Sequence, residues 1–253
     1  MSDAVFEVRD LRKSYGSKTV LEGLDFDLLQ GEALAILGRS GSGKSVTLRQ
    51  LNGLEKPDRG SVRFDGREIT DLTEEELYPL RRRVAMLFQG GALFDSMTVA
   101  ENISFPMREH TDWDEERISQ EVRRKLEMVE LSGIEEKVPA ELSGGMKKRV
   151  ALARSLALDP EVILFDEPTT GLDPMTSATI AHLILQAREQ VDTTTVIVTH
   201  DISLTRAVAS RIAFLHEGRF AFIGTWDELE AEDESSWVRR FVAGKREEDQ
   251  DVP

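Results

Sequence analysis

Gly38-Arg39-Ser40-Gly41-Ser42-Gly43-Lys44-Ser45 gathers three glycines, a lysine and three hydroxyls in eight positions. The chemistry such a run supports is phosphate binding. Gly41 and Gly43 permit backbone conformations and a close approach that a Cβ would block. Successive N–H groups can then face one concavity, and a helix beginning at Lys44 adds positive potential at its N-terminus. In this spacing Lys44 reaches the β- and γ-phosphates of a nucleoside triphosphate, and Ser45 offers a hydroxyl to Mg²⁺. Arg39, Ser40, Ser42 and Val46 complete the loop and first turn expected against the phosphates.

Val162-Ile163-Leu164-Phe165-Asp166-Glu167 is an apolar run ending in two carboxylates. A strand of this kind is expected beside the strand that feeds the glycine loop. Asp166 would then join the Mg²⁺ shell, largely through water, and Glu167 would polarise an attacking water as general base. Thr199-His200-Asp201 closes the next apolar run, so His200 is a candidate γ-phosphate sensor. Gln89 ends another, Val84 to Phe88, and its amide is placed to reach Mg²⁺ or the attacking water. Each of these two, taken alone, reads as readily as structural. Leu142-Ser143-Gly144-Gly145-Met146 opens a helix running from Lys147 to Leu158, with Ser143 as N-cap and two glycines baring the helix end. That makes a second phosphate-binding end. One compact domain cannot aim both at one nucleotide, so a second copy of the chain is implied. Lys147-Lys148-Arg149 reads as a solvated basic face.

The elements that must hold these residues alternate. Val5–Val8 and Leu24–Leu28 alternate apolar and polar residues, as half-buried strands do. Ala33–Leu37 is continuously apolar, as in a strand covered on both faces. A helix from Lys44 to about Leu54 follows, then a strand over Ser61–Phe64 turned by Asp65-Gly66. From Met97 to Asp159 the pattern is helical, with Ile118, Val122, Leu126 and Val129 on one face and Asp112 and Asp114 as candidate N-caps. The runs 162–165 and 195–198, separated by a helix over Pro174–Gln190, have the spacing of a parallel β-α-β unit. Ile212–Leu215 and Phe220–Ile223 form a closing hairpin. The expected architecture is α/β: a mostly parallel core sheet, an antiparallel β subdomain, and a helical insertion over about 91–160. A single domain spans 1–242, and 243–253 is an acidic C-terminal tail.

Composition narrows the function further. The 253 residues carry 32 Lys+Arg against 47 Asp+Glu, a net charge of −15, which disfavours nucleic acid as a ligand. No cysteine is present, so disulfides and thiolate chemistry are excluded, and four scattered histidines offer no zinc site. No apolar run approaches the ~18 residues of a membrane span, and Met1–Glu7 lacks the features of a signal peptide. The expectation is a cytoplasmic protein that reaches a membrane only through a partner. Residues 227–253 hold ten acidic and four basic side chains.

The order of these motifs resembles the ATP-binding cassette (ABC) family over nearly the whole chain. The resemblance gives Tyr15 the place of the aromatic that stacks on adenine, and it covers the phosphate loop, Gln89, Leu142–Gly145, Asp166-Glu167, Gly171-Leu172-Asp173 and His200. It implies a P-loop fold and ATP with Mg²⁺ held by Ser45, Gln89 and Asp166. It also implies a head-to-tail dimer in which Ser143, Gly144, Gly145, Met146 and Asp173 serve the partner's nucleotide. Glu167, His200 and Lys44 are the catalytic set it carries over, and a separate integral-membrane permease is the machine driven.

Two segments resemble one group within the family more closely: Phe88 to Val99 with Glu101-Asn102 and Phe105-Pro106, and Leu142 to Arg154. Both are similar to the ATPases of Mla-type, MCE-associated phospholipid transporters. Met146 stands where most of the family has Gln, a departure typical of that group. The group implies an MCE lipid-binding subunit, often a small STAS-domain protein, and a place on the inner face of the inner membrane. It also implies a C-terminal extension touching the dimer partner, for which Trp237, Val238, Phe241 and Val242 have helical spacing; truncation after Thr225 would then weaken dimerisation or activity. Other ABC importers or exporters, and a non-transport signalling ATPase, are the competing readings.

Overall fold

The computed structural model describes residues 4–244; the end of the expected acidic tail, 245–253, lies outside them. The chain opens with an antiparallel hairpin, β1 (Ala4–Tyr15) and β2 (Lys18–Leu29), each longer than its alternating stretch and broken by register shifts. β3 (Ala33–Leu37), buried throughout, leads into the glycine loop and α1 (Lys44–Leu51). β4 (Arg59–Phe64) and β5 (Arg67–Glu68) return to the hairpin, giving a four-stranded sheet ordered β2-β1-β4-β5. α2 (Glu74–Arg83) and β6 (Val84–Leu87) follow.

The helical insertion comprises α3 (Val99–His110), α4 (Glu115–Met128) and α5 (Gly144–Ser155). Ile118, Val122, Leu126 and Val129 are all buried in its core, as their spacing requires. Asp114 is the cap of α4, accepting from the Arg117 amide, whereas Asp112 lies in the preceding loop and caps nothing. Both have the right side chain, but a cap also needs the residue whose own carbonyl starts the helix. β7 (Val162–Asp166), α6 (Pro174–Val191), β8 (Thr194–Thr199), α7 (Ile202–Val208), β9 (Arg211–His216) and β10 (Arg219–Gly224) complete a six-stranded sheet ordered β10-β9-β3-β8-β7-β6. Its strands are parallel except β10, which closes the edge as a hairpin on β9.

This order corrects one expectation. β7 is not the neighbour of β3; β8 runs between them. Asp166 still meets the glycine loop because α1 packs across both β8 and β7. The carboxylates therefore approach the phosphate site from one strand further away, with His200, at the end of β8, between them.

α8 (Trp226–Ala231) and α9 (Trp237–Val242) seal the β9–β10 edge. Val238 is buried, Trp237 stacks on His216 at 4.2 Å between ring centres, and Phe241 meets Phe214 edge-on at 5.6 Å. The apolar face of the C-terminal stretch is thus occupied by the chain's own core. Truncation after Thr225 would bare Phe214 and Leu37, so it would report on this packing whether or not a partner is touched. No helix among the described residues is long and apolar enough to cross a membrane.

Candidate functional site

Tyr15, Gly38, Arg39, Ser40, Gly41, Gly43, Lys44, Ser45, Val46, Gln89, Glu167 and His200 line one open pocket of about 620 Å³. Local physics puts the loop there. β3 delivers the chain at the sheet's C-terminal edge, where ligands of parallel sheets bind, and α1 starts with its amides facing the pocket. Gly43 takes φ 108°, and a Cβ on it would come within 2.7 Å of Leu21, so only glycine brings the loop this close to the β1–β2 hairpin. The Ser42 hydroxyl oxygen is buried in the loop and finds no hydrogen-bond partner among the described residues.

Lys44 is buried and folds back over the loop. Its Nζ donates to the Gly38 and Arg39 carbonyls at 2.9 and 3.1 Å and stands 3.6 Å from Glu167 Oε1. Glu167 occupies the left-handed region, φ 48°, with its amide donating to Val198 O. A non-glycine residue in that region is strained, and such strain gathers at functional sites. The second Glu167 oxygen meets His200 Nδ1 at 2.9 Å and accepts from Thr170 Oγ1 at 3.1 Å. Gln89, just beyond β6, lines the pocket.

Ser45 Oγ donates to Asp166 Oδ1 at 2.7 Å. Burial raises the Asp166 pKa, the Ser45 bond opposes this, and the Glu167 charge adds to the rise. The folded protein therefore takes up this proton more readily than the unfolded chain. The cost of the buried carboxylate is full at neutral pH and is relieved as pH falls through the raised value. Asp166→Asn, which keeps the acceptor for Ser45, should raise the melting temperature of the ligand-free protein by a few degrees at neutral pH, with the gain fading in acid. Scanning calorimetry of both proteins across pH checks this; a lower melting temperature for the variant would refute it.

Tyr15 presents an exposed ring at the rim. Its hydroxyl donates to Glu55, and burial of the hydroxyl with that bond pushes its pKa up to about 12, while Lys13 sits 5.6 Å from the ring centre. Three further residues, Val20, Thr170 and Phe241, line the same pocket. Of these, only Phe241 carried a signal in the sequence, its place in the periodic C-terminal stretch.

Ser143, Gly144, Gly145, Met146 and Asp173 are not part of this pocket. Ser143 caps α5, accepting from the Met146 amide. Asp173 caps α6, accepting from the Met175 and Thr176 amides and from Thr176 Oγ1, which holds its carboxyl below the usual range. The two caps adjoin, with Gly145 against Thr176 and Gly144 near Leu172. Both helix ends are thus built within one chain but away from its own phosphate loop, as an arrangement serving a second copy requires. One basic side chain departs from expectation. Lys148 is not on a solvated face: it is 8% exposed and donates to the Gln89 carbonyl. A second cavity, about 770 Å³, opens between α6 and α7 on the far side of His200 and holds none of the glycine loop.

A glycine loop feeding a helix, with an aspartate on its serine and a strained glutamate on its lysine, defines a nucleoside-triphosphate hydrolase of the P-loop type. The chain belongs to the ABC transporter family, whose profile matches residues 21–170. "Probable ribonucleotide transport ATP-binding protein mkl" of Mycobacterium leprae is 44% identical over 95% of this chain and 69% of its own length. The "Intermembrane phospholipid transport system ATP-binding protein MlaF" of Haemophilus influenzae is 38% identical over 97% of this chain and 92% of its own. "Methionine import ATP-binding protein MetN" of Brucella abortus is 41% identical over 87% of this chain and 59% of its own. The dimeric ATP-binding cassette MJ0796, in a post-hydrolysis state bound to ADP and Pi, superposes with a TM-score of 0.81 at 33% identity, over 87% of this chain and 98% of that one. The protein is an ATP-hydrolysing subunit of an ABC transporter.

Proposed function

We propose that this ATPase energises phospholipid transport between membranes, as a head-to-tail dimer on a separate integral-membrane permease at the inner face of the inner membrane. The observation that carries the lipid reading is the likeness to MlaF, which runs along 97% of this chain and 92% of that one. The names of mkl and MetN attach other cargoes to comparable identities, so the choice among cargoes rests on the segment 88–106 and on Met146. That segment supplies an exposed aromatic surface, Phe88, Phe94 and Phe105, with Phe94 and Phe105 edge-on at 5.1 Å. A patch of this kind suits a protein partner, here the permease. An MCE lipid-binding subunit, and in some assemblies a STAS-domain protein, complete the complex.

The residues at hand fit Mg²⁺. The donors are hard oxygens, Ser45 Oγ and Asp166, and Gln89, which carries an amide oxygen, lines the same pocket. No three His, Cys, Asp or Glu converge as a metal cage among the described residues, which suits an ion that keeps waters and takes its remaining ligands from phosphates. When bound there, it would neutralise charge on the phosphate oxygens. The chain's own residues do the rest. The loop amides and Lys44 hold the phosphates, and Tyr15 offers its ring to the base. Glu167 orients a water for in-line attack and receives its proton. His200, held on Glu167 by its Nδ1, is the group at the end of β8 for the γ-phosphate.

The test is affinity purification of the tagged protein from its native membranes in mild detergent, with protein and lipid mass spectrometry. A permease, an MCE-domain protein and phospholipid should come together. A permease of the amino-acid importer type, without phospholipid, would overturn the lipid reading and favour the MetN-like one.

A further inference from the structure

The helix that carries Ser143-Gly144-Gly145 grips the segment after β6 by its carbonyls. Lys148 Nζ donates to the Gln89 carbonyl. Two turns on, Arg154 donates to the Gly91 and Ala92 carbonyls, both at 2.8 Å. The contact between segment and helix is close: Gly91 takes φ 79°, and a Cβ on it would lie 3.3 Å from that of Ala151. Lys148 is buried within the electrostatic reach of Asp166 and Glu167, whose charges favour its ammonium against the cost of burial. A buried ammonium is expensive, and an apolar side chain would satisfy packing alone. What an apolar residue could not do is hold the main chain at Gln89, the residue of this segment that lines the phosphate pocket.

We propose that Lys148 is a positioning residue: by binding the Gln89 carbonyl it sets where the Gln89 amide meets the Mg²⁺–phosphate end of the nucleotide, and makes that position follow α5. The inference rests on the reading of Gln89 as a contact of that end. Its consequence is that the pocket of one chain and the helix end it offers to a second copy are joined by one buried side chain. A displacement of α5 is passed to Gln89 through a rigid contact rather than through a loose loop.

The experiment uses the full chain in a Glu167→Gln background, with equilibrium binding of mant-ATP followed as Mg²⁺ is titrated. Lys148→Met keeps the stem and removes the donor. It should leave mant-ATP affinity without Mg²⁺ within about 2-fold, and should raise the Mg²⁺ concentration for half-maximal effect by about 10-fold, the scale on which supporting groups tune metal affinity. Lys148→Arg, which keeps the charge and a donor, should recover most of the loss. Gln89→Ala should produce the same shift, and the double variant no more than either alone, because both remove one contact. Lys148→Leu, which also lacks a donor, should behave as Lys148→Met and decides the matter should the methionine variant not fold. An unchanged Mg²⁺ requirement in the Lys148 variants, or shifts that add with Gln89→Ala, would overturn the proposal while the Gln89 reading stood. No shift in Gln89→Ala itself would overturn both.

Discussion

Glu167→Gln should leave ATP binding within about 3-fold of the parent and lower kcat by at least ~10²–10³, the contribution of a positioned general base. The geometry makes this substitution unusually clean. The amide is isosteric, and its oxygen can still accept from Thr170 Oγ1, which binds Glu167 at 3.1 Å. The strained backbone at φ 48° is unchanged, since the Glu167 N–H still donates to the Val198 carbonyl and that hydrogen bond does not involve the carboxylate. What is lost is the carboxylate that lies 3.6 Å from Lys44 and 2.9 Å from His200, the group proposed to take the proton from water while tied to both. Single-turnover hydrolysis checks the rate, and titration with mant-ATP checks the binding. Near-normal turnover would move the base elsewhere, His200 first, and a matching His200→Ala loss would complete that reassignment. With hydrolysis blocked, ATP should also drive the variant into dimers measurable by analytical ultracentrifugation.

The parts of this site that the sequence announces are those built from consecutive residues. The glycine loop needs no tertiary information, because one turn and one helix end make it. Asp166 and Glu167 are legible because a strand covered on both faces must be continuously apolar, so its end stands out. The strand order is not legible. Nothing in Val162–Phe165 tells whether β8 lies inside or outside β7, since parallel crossovers of equal handedness allow either. Lys148 is hidden for a different reason. In Lys147-Lys148-Arg149 charge alone suggests solvent, and only the packing of α5 on Gly91 turns the middle side chain inward. Phe241 is legible only as one of four apolar residues at helical spacing; that this face packs on β9 and β10, and that the ring also lines the phosphate pocket, depends on how α9 docks. Asp112 and Asp114 are identical in type, and the backbone alone separates them. The pattern is general in cause: side-chain chemistry travels in the sequence, whereas which way a charged residue faces is decided by what packs on its helix.

Lys44→Met should weaken ATP binding by about 30-fold or more and take kcat below about 1% of the parent. Two unit charges ~4 Å apart at an effective dielectric of ~20 interact by ~4 kcal/mol. Half of that, left after desolvation, already corresponds to about 30-fold. The structure adds a second contribution. The buried ammonium has the Gly38 and Arg39 carbonyls and Glu167 around it. With methionine there, the Glu167 carboxylate faces incoming phosphates with no cation between, so attraction is replaced by repulsion. Arginine should not rescue the site, because its planar fork is wider than the point charge that the loop encloses. The repulsive part can be isolated. If it is real, Glu167→Gln added to Lys44→Met should bind ATP more tightly than Lys44→Met alone, although Glu167→Gln by itself changes binding little. That non-additivity, read from four titrations with mant-ATP, measures the coupling between the two side chains. Additive losses would mean that Lys44 acts on the phosphates alone and that its contact with Glu167 carries no energy.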